Sequence, residues 1–386
     1  MIRTGLGLRR MMPRDRTEPF RAASPLELLF DLVFVVAVSQ AAGSLHELVS
    51  AGRVGQGVLA YLMVFFAIWW AWMNFTWFAS AFDTDDWAYR LMTFLQMGGV
   101  LVLAAGVQDA VASYDFAVVT WGYVIMRLAM VGQWLRAAAS HPGSRRTAVT
   151  FAVGIAAVQV LWVARLYLLD VTWQFATFFV LVVAEIAVPV IAERQGRTAW
   201  HPHHIADRYG CFTLIVLGES VLASATAVFA ARGQGAHALA LVGLAAAGLA
   251  IAAGMWWVYF VHGQGDRLAE TGRGFGFGYA HYLIFAAAGA VSAGIGASVD
   301  VATGRTALSA AAAALVLTVP VGGFVVAVWL IMLRPLISRT ASVLVLVSAA
   351  VIVASAAVPQ GAVAATAVLL AVVVVVLEVD RGRQAG

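Results

Sequence analysis

Twelve long apolar runs, each bounded by glycine, proline, aspartate or arginine, constrain this chain more than any other feature. They lie near residues 26–46, 57–79, 90–108, 115–138, 147–168, 173–193, 205–230, 237–261, 279–298, 307–332, 341–357 and 362–378. A hydrocarbon core about 30 Å thick is crossed by a helix of about 17–25 residues, so every run is long enough. Composition removes the alternatives. Of 386 residues, 62% are hydrophobic and only 11% are charged, against about 25% charged in a soluble domain. So few charges cannot cover a soluble surface of this size. The lone cysteine, Cys211, excludes a disulfide scaffold, and the apolar content excludes disorder. The expected fold is an all-α polytopic integral membrane protein of about 12 transmembrane helices, with the lipid bilayer as its first partner.

The arginines orient it. The basic side chains are 24 arginines and no lysine, set against 20 acids. Six precede the first run, and thirteen more, from Arg90 to Arg383, flank alternate connections on the same side. Only Arg53, Arg165, Arg232 and Arg305 fall on the other side, and Arg127 lies within a run. Positive charge concentrates on the cytoplasmic side of membrane proteins, so both termini are expected there. This accounts for the net charge of +4 with no nucleic-acid partner. One run more or fewer would break the alternation, which supports twelve independently of hydropathy. No cleavable signal peptide is expected, because Arg9-Arg10 leads into Met-Met-Pro-Arg-Asp rather than an apolar core. Residues 1–24 read as a poorly ordered basic cytoplasmic tail.

The chain also reads as a diverged duplication, with six-helix halves at 25–195 and 196–386. Phe66-Ala-Ile-Trp-Trp-Ala-Trp-Met73 resembles Ala253-Gly-Met-Trp-Trp-Val-Tyr-Phe260. Trp134-Leu-Arg136 resembles Met332-Leu-Arg334, and the order of such matches is kept along the chain. Six is even, so a 6+6 pseudo-repeat gives halves related by an axis along the membrane normal. Recurrent tryptophan pairs and arginine stops are the alternative source of these matches.

A charge in the hydrocarbon costs about 2.5–3.5 kcal/mol on insertion scales, so each asks for a partner or a role. Arg127, Glu185 and Glu219 fall at similar depth and form a candidate charge network or ion pathway; a fixed ion pair between helices is the other reading. Glu27 and Asp31, four apart, share one face at the foot of the first helix. They would handle protons or cations, or lock the helix foot by pairing with Arg21 or Arg208. Asn74, Gln96 and His281 are expected to hydrogen-bond between helices. Gly243, Gly248, Gly254, Gly289 and Gly294 are expected at close helix contacts. Two loops on the cytoplasmic side are rich in polar groups. They contribute Asp83, Asp85, Asp86 and Arg90 from one, and His201, His203, His204, Asp207 and Arg208 from the other. Together with Glu27 and Asp31 these make a candidate cytoplasmic mouth. Their carboxylates and imidazoles are ordinary ligands for a divalent cation, but the spacing matches no zinc motif, and no cofactor is expected.

Several segments together resemble the bacterial low temperature requirement protein A family. They are Glu27-Leu-Leu-Phe-Asp-Leu-Val-Phe-Val35, Phe82-Asp-Thr-Asp-Asp-Trp87, His201-Pro-His-His-Ile-Ala-Asp-Arg-Tyr209, Ile215-Val-Leu-Gly-Glu-Ser220 and Gly278-Tyr-Ala-His-Tyr-Leu-Ile-Phe285. The resemblance covers nearly the whole chain outside the basic tail. It implies a bacterial inner-membrane protein linked by name to growth in the cold, and supplies neither a reaction nor a substrate.

Three functions fit these features. A secondary transporter or ion/proton-coupled permease for a small solute or ion fits twelve spans and charges at depth. A membrane enzyme acting on lipid or polyprenyl substrates would use Asp83, Asp85 and Asp86 to hold Mg²⁺, though no second Asp-rich run or nucleophile motif accompanies them. A sensor or scaffold is the third, with no appended soluble domain to support it. The absence of a P-loop argues against ATP-driven pumping by this chain alone.

Overall fold

The computed structural model describes residues 7–15, 18, 22–82, 84–231, 238–271 and 274–385. Among them the chain is all-α. The helices are α1 (Pro25–Ser50), α2 (Val54–Phe82), α3 (Trp87–Ala105), α4 (Val107–Ser113), α5 (Ala117–Ser140), α6 (Arg145–Leu168) and α7 (Val171–Glu193). They continue as α8 (Pro202–Ala231), α9 (Ala238–Phe260), α10 (Gly265–Thr271), α11 (Gly274–Ala302), α12 (Ala310–Val328), α13 (Arg339–Ala354) and α14 (Ala362–Ala385). Among the described residues twelve spans are long and apolar enough to cross a membrane, with α3 and α4 forming one of them. The protein is a multi-pass membrane protein.

Several helices outrun their apolar runs. The run at 362–378 continues as α14 through Glu378, Asp380, Arg381 and Arg383. Backbone hydrogen bonding, once nucleated, carries on into polar residues at little cost, whereas hydropathy marks only the apolar part. Starts follow local chemistry. Asp86, Asp170, Ser309 and Ser338 each cap a helix by accepting the N–H three residues on.

The chain divides into two compact units. Unit one comprises Met1–Ala37 and Ala67–Arg208; unit two comprises Val38–Phe66 and Tyr209–Gly386. Helices α1, α2 and α8 therefore contribute to both.

In unit one, α5 packs closely on α3 and then on α6, which packs on α7. Glycine permits the tightest of these contacts. A Cβ on Gly122 would stand 2.3 Å from the Leu103 nitrogen, and one on Gly99 would stand 2.8 Å from the Gly122 carbonyl oxygen. Small residues let transmembrane backbones approach, and here the approach sets the position of α5, which carries Arg127. The outward faces of α6 and α7 expose Val160, Leu161, Val180 and Val183, as a surface solvated by lipid tails must.

In unit two, α11 packs on α12, α12 on α13, and α14 on both α9 and α13. Gly294 lies against the Leu317 backbone, and Gly248, Gly254 and Gly289 abut Ser224, Leu370 and Tyr61. Gly243 is different: nothing lies within 4 Å of where its Cβ would be. Helix α12 holds Pro320 and, more than two turns further on, passes into a π-helical turn at Trp329–Leu333.

The N-terminal segment departs from expectation. Met11 is fully buried, and the Arg14 N–H donates to the Ala81 carbonyl at 3.0 Å. The Arg9 N–H donates to Asp86 at 2.9 Å. Arginine content implied a solvated tail, yet the described part of the segment is held by backbone hydrogen bonds and a buried methionine side chain.

Candidate functional site

Four helices bring polar side chains of unit one together in the interior. Glu185 on α7 is fully buried and accepts three hydrogen bonds. Arg127 Nη2 on α5 and Trp70 Nε1 on α2 donate to its Oε2 at 2.8 and 3.0 Å. Gln159 Nε2 on α6 donates to its Oε1 at 2.8 Å. The Arg127 guanidinium also lies 5.7 Å from the centre of the Tyr123 ring. Pro189 has no N–H to offer the Glu185 carbonyl, so the helix ladder is interrupted at this residue. An opposite charge and two neutral donors make the carboxylate tolerable in a low-dielectric interior.

A second cluster of unit one joins the foot of α1 to the start of α8. Arg208 Nε donates to Asp31 Oδ2 at 3.0 Å, and its Nη2 donates to Oδ1, giving a bidentate pair. Trp72 Nε1 donates to the same Oδ1 at 2.7 Å. Glu27 Oε1 lies 3.2 Å from Arg208 Nη1 and 3.1 Å from His204 Nε2, while Oε2 accepts the Ser24 N–H at 2.7 Å. All four charged or titratable side chains are buried. Arg208 is thus the partner of both acids; Arg21 lies outside the described residues.

Glu219 belongs to unit two, on α8. Its carboxyl accepts a short hydrogen bond from the Ser39 hydroxyl of α1 and is mostly buried. The structure therefore joins Arg127 to Glu185 and gives Glu219 a hydroxyl partner of its own.

The polar loops are arranged by arginines. Arg90 forms a bidentate, exposed pair with Asp85 at 2.8 and 3.0 Å. That bond holds the Asp85 carboxyl below the usual aspartate range. Asp86 caps α3, accepts Arg136 through both carboxylate oxygens, and binds the Arg9 N–H. Burial opposes its charge, but these partners outweigh burial and hold its carboxyl low as well. Asp83 lies outside the described residues. His201 faces the Glu18 carbonyl at 2.9 Å, the His203 ring lies beside it, and Asp207 accepts the Ala23 N–H. Among the described residues no three His, Cys, Asp or Glu side chains gather to hold a metal ion.

The secondary polar residues differ in role. Asn74 donates to the Trp70 carbonyl of its own helix rather than to a neighbouring one. Gln96 Nε2 is buried with no hydrogen-bond partner among the described residues. His281 bridges helices, with Nε2 3.1 Å from the Tyr259 hydroxyl of α9 and Nδ1 2.7 Å from the Phe277 carbonyl.

The sequence reading missed Trp70, Trp72, Gln159, Arg136 and Ser39 as partners. One signal was there to find: Gln159, Trp162 and Arg165 recur every third residue in an apolar run and so share a face.

Comparison with known proteins agrees with this architecture. The family model described as bacterial low temperature requirement A protein (LtrA) matches residues 22–378. An uncharacterized protein of Rhizobium meliloti (strain 1021) is 27% identical over 261 residues, spanning 65% of this chain and 61% of that protein.

Proposed function

Since the chain belongs to the bacterial low temperature requirement A protein family, and since it is a multi-pass membrane protein, we propose that it is a secondary transporter or ion/proton-coupled permease of a bacterial cytoplasmic membrane. The observation that carries this reading is the fully buried Arg127–Glu185 pair, held by Trp70 and Gln159 within membrane-spanning helices. Ionisable groups at such depth are costly and mark ion or proton paths. In unit one Glu185 exchanges a proton or cation, with Arg127 as its counter-ion or as an anion contact. In unit two Glu219, hydrogen-bonded to a hydroxyl, takes up and releases a proton. Glu27, Asp31, His204 and Arg208 act as a cytoplasmic gate, on the orientation the arginines imply. A role in growth at low temperature would follow from the solute moved.

The Arg127–Glu185 pair also clamps α5 to α7, and experiment separates the two roles. Purified protein in proteoliposomes should move protons or a small ion, and Glu185→Gln and Glu219→Gln should uncouple that flux while the protein still folds. Absence of flux for every small ion tried, or flux unchanged in both variants, would overturn the transport reading.

A further inference from the structure

The interior of unit one holds more hydrogen-bond donors than it uses. Arg127 donates only through Nη2; its Nε and Nη1 are buried without a partner. Trp162 Nε1 and Arg165 Nη1 are likewise buried and unpartnered. Arg165 donates through Nε to the Gln174 carbonyl at 2.7 Å and meets no carboxylate among the described residues. Around it stand ring faces: Trp162 at 5.4 Å, Phe178 at 5.7 Å and Phe116 at 5.9 Å.

These groups are continuous. On α6, Gln159, Trp162 and Arg165 follow at intervals of three and face the same way. The six residues from Gln159 to Arg165 cover about 9 Å along the helix. Facing them are Tyr123 and Arg127 of α5, whose Tyr123 ring lies 6.4 Å from the Trp162 ring. On α7 the same seam presents Phe178 and Glu185. Glu185 already accepts three hydrogen bonds, and the unmatched side-chain acceptors facing the seam are Gln159 Oε1 and Tyr123 Oη.

Charge points the same way. Two buried arginines face one glutamate, and the second, Arg165 in the last turn of α6, meets a carbonyl and ring faces but no carboxylate among the described residues. A buried cation without a counter-ion is expensive, and four unused N–H groups around it are expensive too. A single occupant that is negative, small and rich in lone pairs removes both costs. A cation meets the wrong charge here, and a neutral solute leaves the arginine uncompensated.

We propose that the seam between α5, α6 and α7 is a binding site for a small monovalent anion, a halide, nitrate or short carboxylate, held by Arg127, Trp162 and Arg165. The assignment deepens the transport reading above, whose substrate it would supply, but anion binding itself can be measured without transport.

The test uses the full chain in lipid nanodiscs, with thermal unfolding followed as sodium bromide, nitrate or formate replaces sodium gluconate at fixed ionic strength. The midpoint should rise saturably with the small anions. Bromide against formate tells a halide site from a carboxylate site, and either supports the proposal. Trp162→Phe removes the indole N–H together with part of the buried ring, so its anion response is read against its own midpoint in gluconate. Its half-saturating anion concentration should rise about tenfold, the loss of one charge-assisted hydrogen bond. Arg165→Gln should abolish the response. An equal response to gluconate, no response to any small anion, or an unchanged titration in both variants would overturn the site. Flux separates the two readings. Saturable anion binding with no anion flux refutes transport and leaves the site standing. Cation or proton flux with no anion response leaves transport standing and refutes the site.

Discussion

Removing one member of the Arg127–Glu185 pair should hurt more than removing both. Arg127→Gln strands the Glu185 carboxylate in the interior, where breaking a buried ion pair costs about 3–5 kcal/mol. Trp70 and Gln159 still donate to it, which places this variant near the lower end. Glu185→Gln strands the Arg127 guanidinium, whose Nε and Nη1 already lack partners, and belongs near the upper end. The double variant removes both charges and with them the desolvation cost that each single leaves exposed. Its amide at position 185 can still accept from Trp70. It should therefore cost less than either single, giving a coupling energy above about 5 kcal/mol in the double-mutant cycle. Reversible unfolding in mixed bicelles by titration with a denaturing detergent measures all four proteins on one scale. If the double variant costs the sum of the singles to within about 0.5 kcal/mol, the two residues are independent and the paired-charge reasoning fails.

The same unfolding assay should show Asp31→Asn costing about 3 kcal/mol or more, because it breaks the bidentate pair and leaves Arg208 buried beside Glu27 alone. Trp72→Phe, which removes the indole N–H to Asp31 and shrinks a fully buried ring, should cost about 2–4 kcal/mol. Gly122→Ala should destabilise by about 1–3 kcal/mol, since its Cβ would meet Leu103 backbone that cannot swing aside as a side chain would; an unchanged midpoint would mean α3 and α5 separate freely. The Asp86 carboxyl is held low in the folded protein, so its contribution is present above the ordinary aspartate value of about 4 and is lost as pH falls through the folded value. Protection of the Arg9 N–H against hydrogen exchange, taken relative to its intrinsic rate at each pH, should accordingly be high near neutral pH and fall in acid. Asp86→Asn should show the low protection at neutral pH, and high protection there in that variant would dissociate the segment from Asp86.

The two kinds of site differ in how far the sequence exposes them. Arg127 and Glu185 stand out because a charge inside an apolar run has no solvent to excuse it. Glu27 and Asp31 stand out by their four-residue spacing, and Arg208 follows as one of two nearby counter-charges. Their neutral partners do not stand out. Trp70 sits among other tryptophans and phenylalanines of α2, and which indole N–H meets a carboxylate depends on how α2 is rotated against α7. Asp86 carries two readings in the sequence, a ligand type for a cation and a charge capping a span end; the structure shows the cap, and the anchor of the Arg9 segment with it. Its position directly before an apolar run was the cue to a cap.

What the sequence determines by itself is what a bilayer demands of any chain. Apolar length sets the number of spans because hydrocarbon cannot satisfy a backbone polar group, so each crossing must be helical and long enough. Those demands act residue by residue along the chain, and hydropathy reads them off directly. Pairing was decided only in three dimensions. Arg127 and Glu185 are 58 residues apart, and Asp31 and Arg208 are 177 apart. Such pairs form because helix contacts, such as the glycine-mediated approach of α3 to α5, fix the rotation and depth of each helix. Burial then makes an unpartnered charge costly: Arg127 and Asp31 each meet an opposite charge, while Glu219 meets a hydroxyl and Arg165 a carbonyl and ring faces.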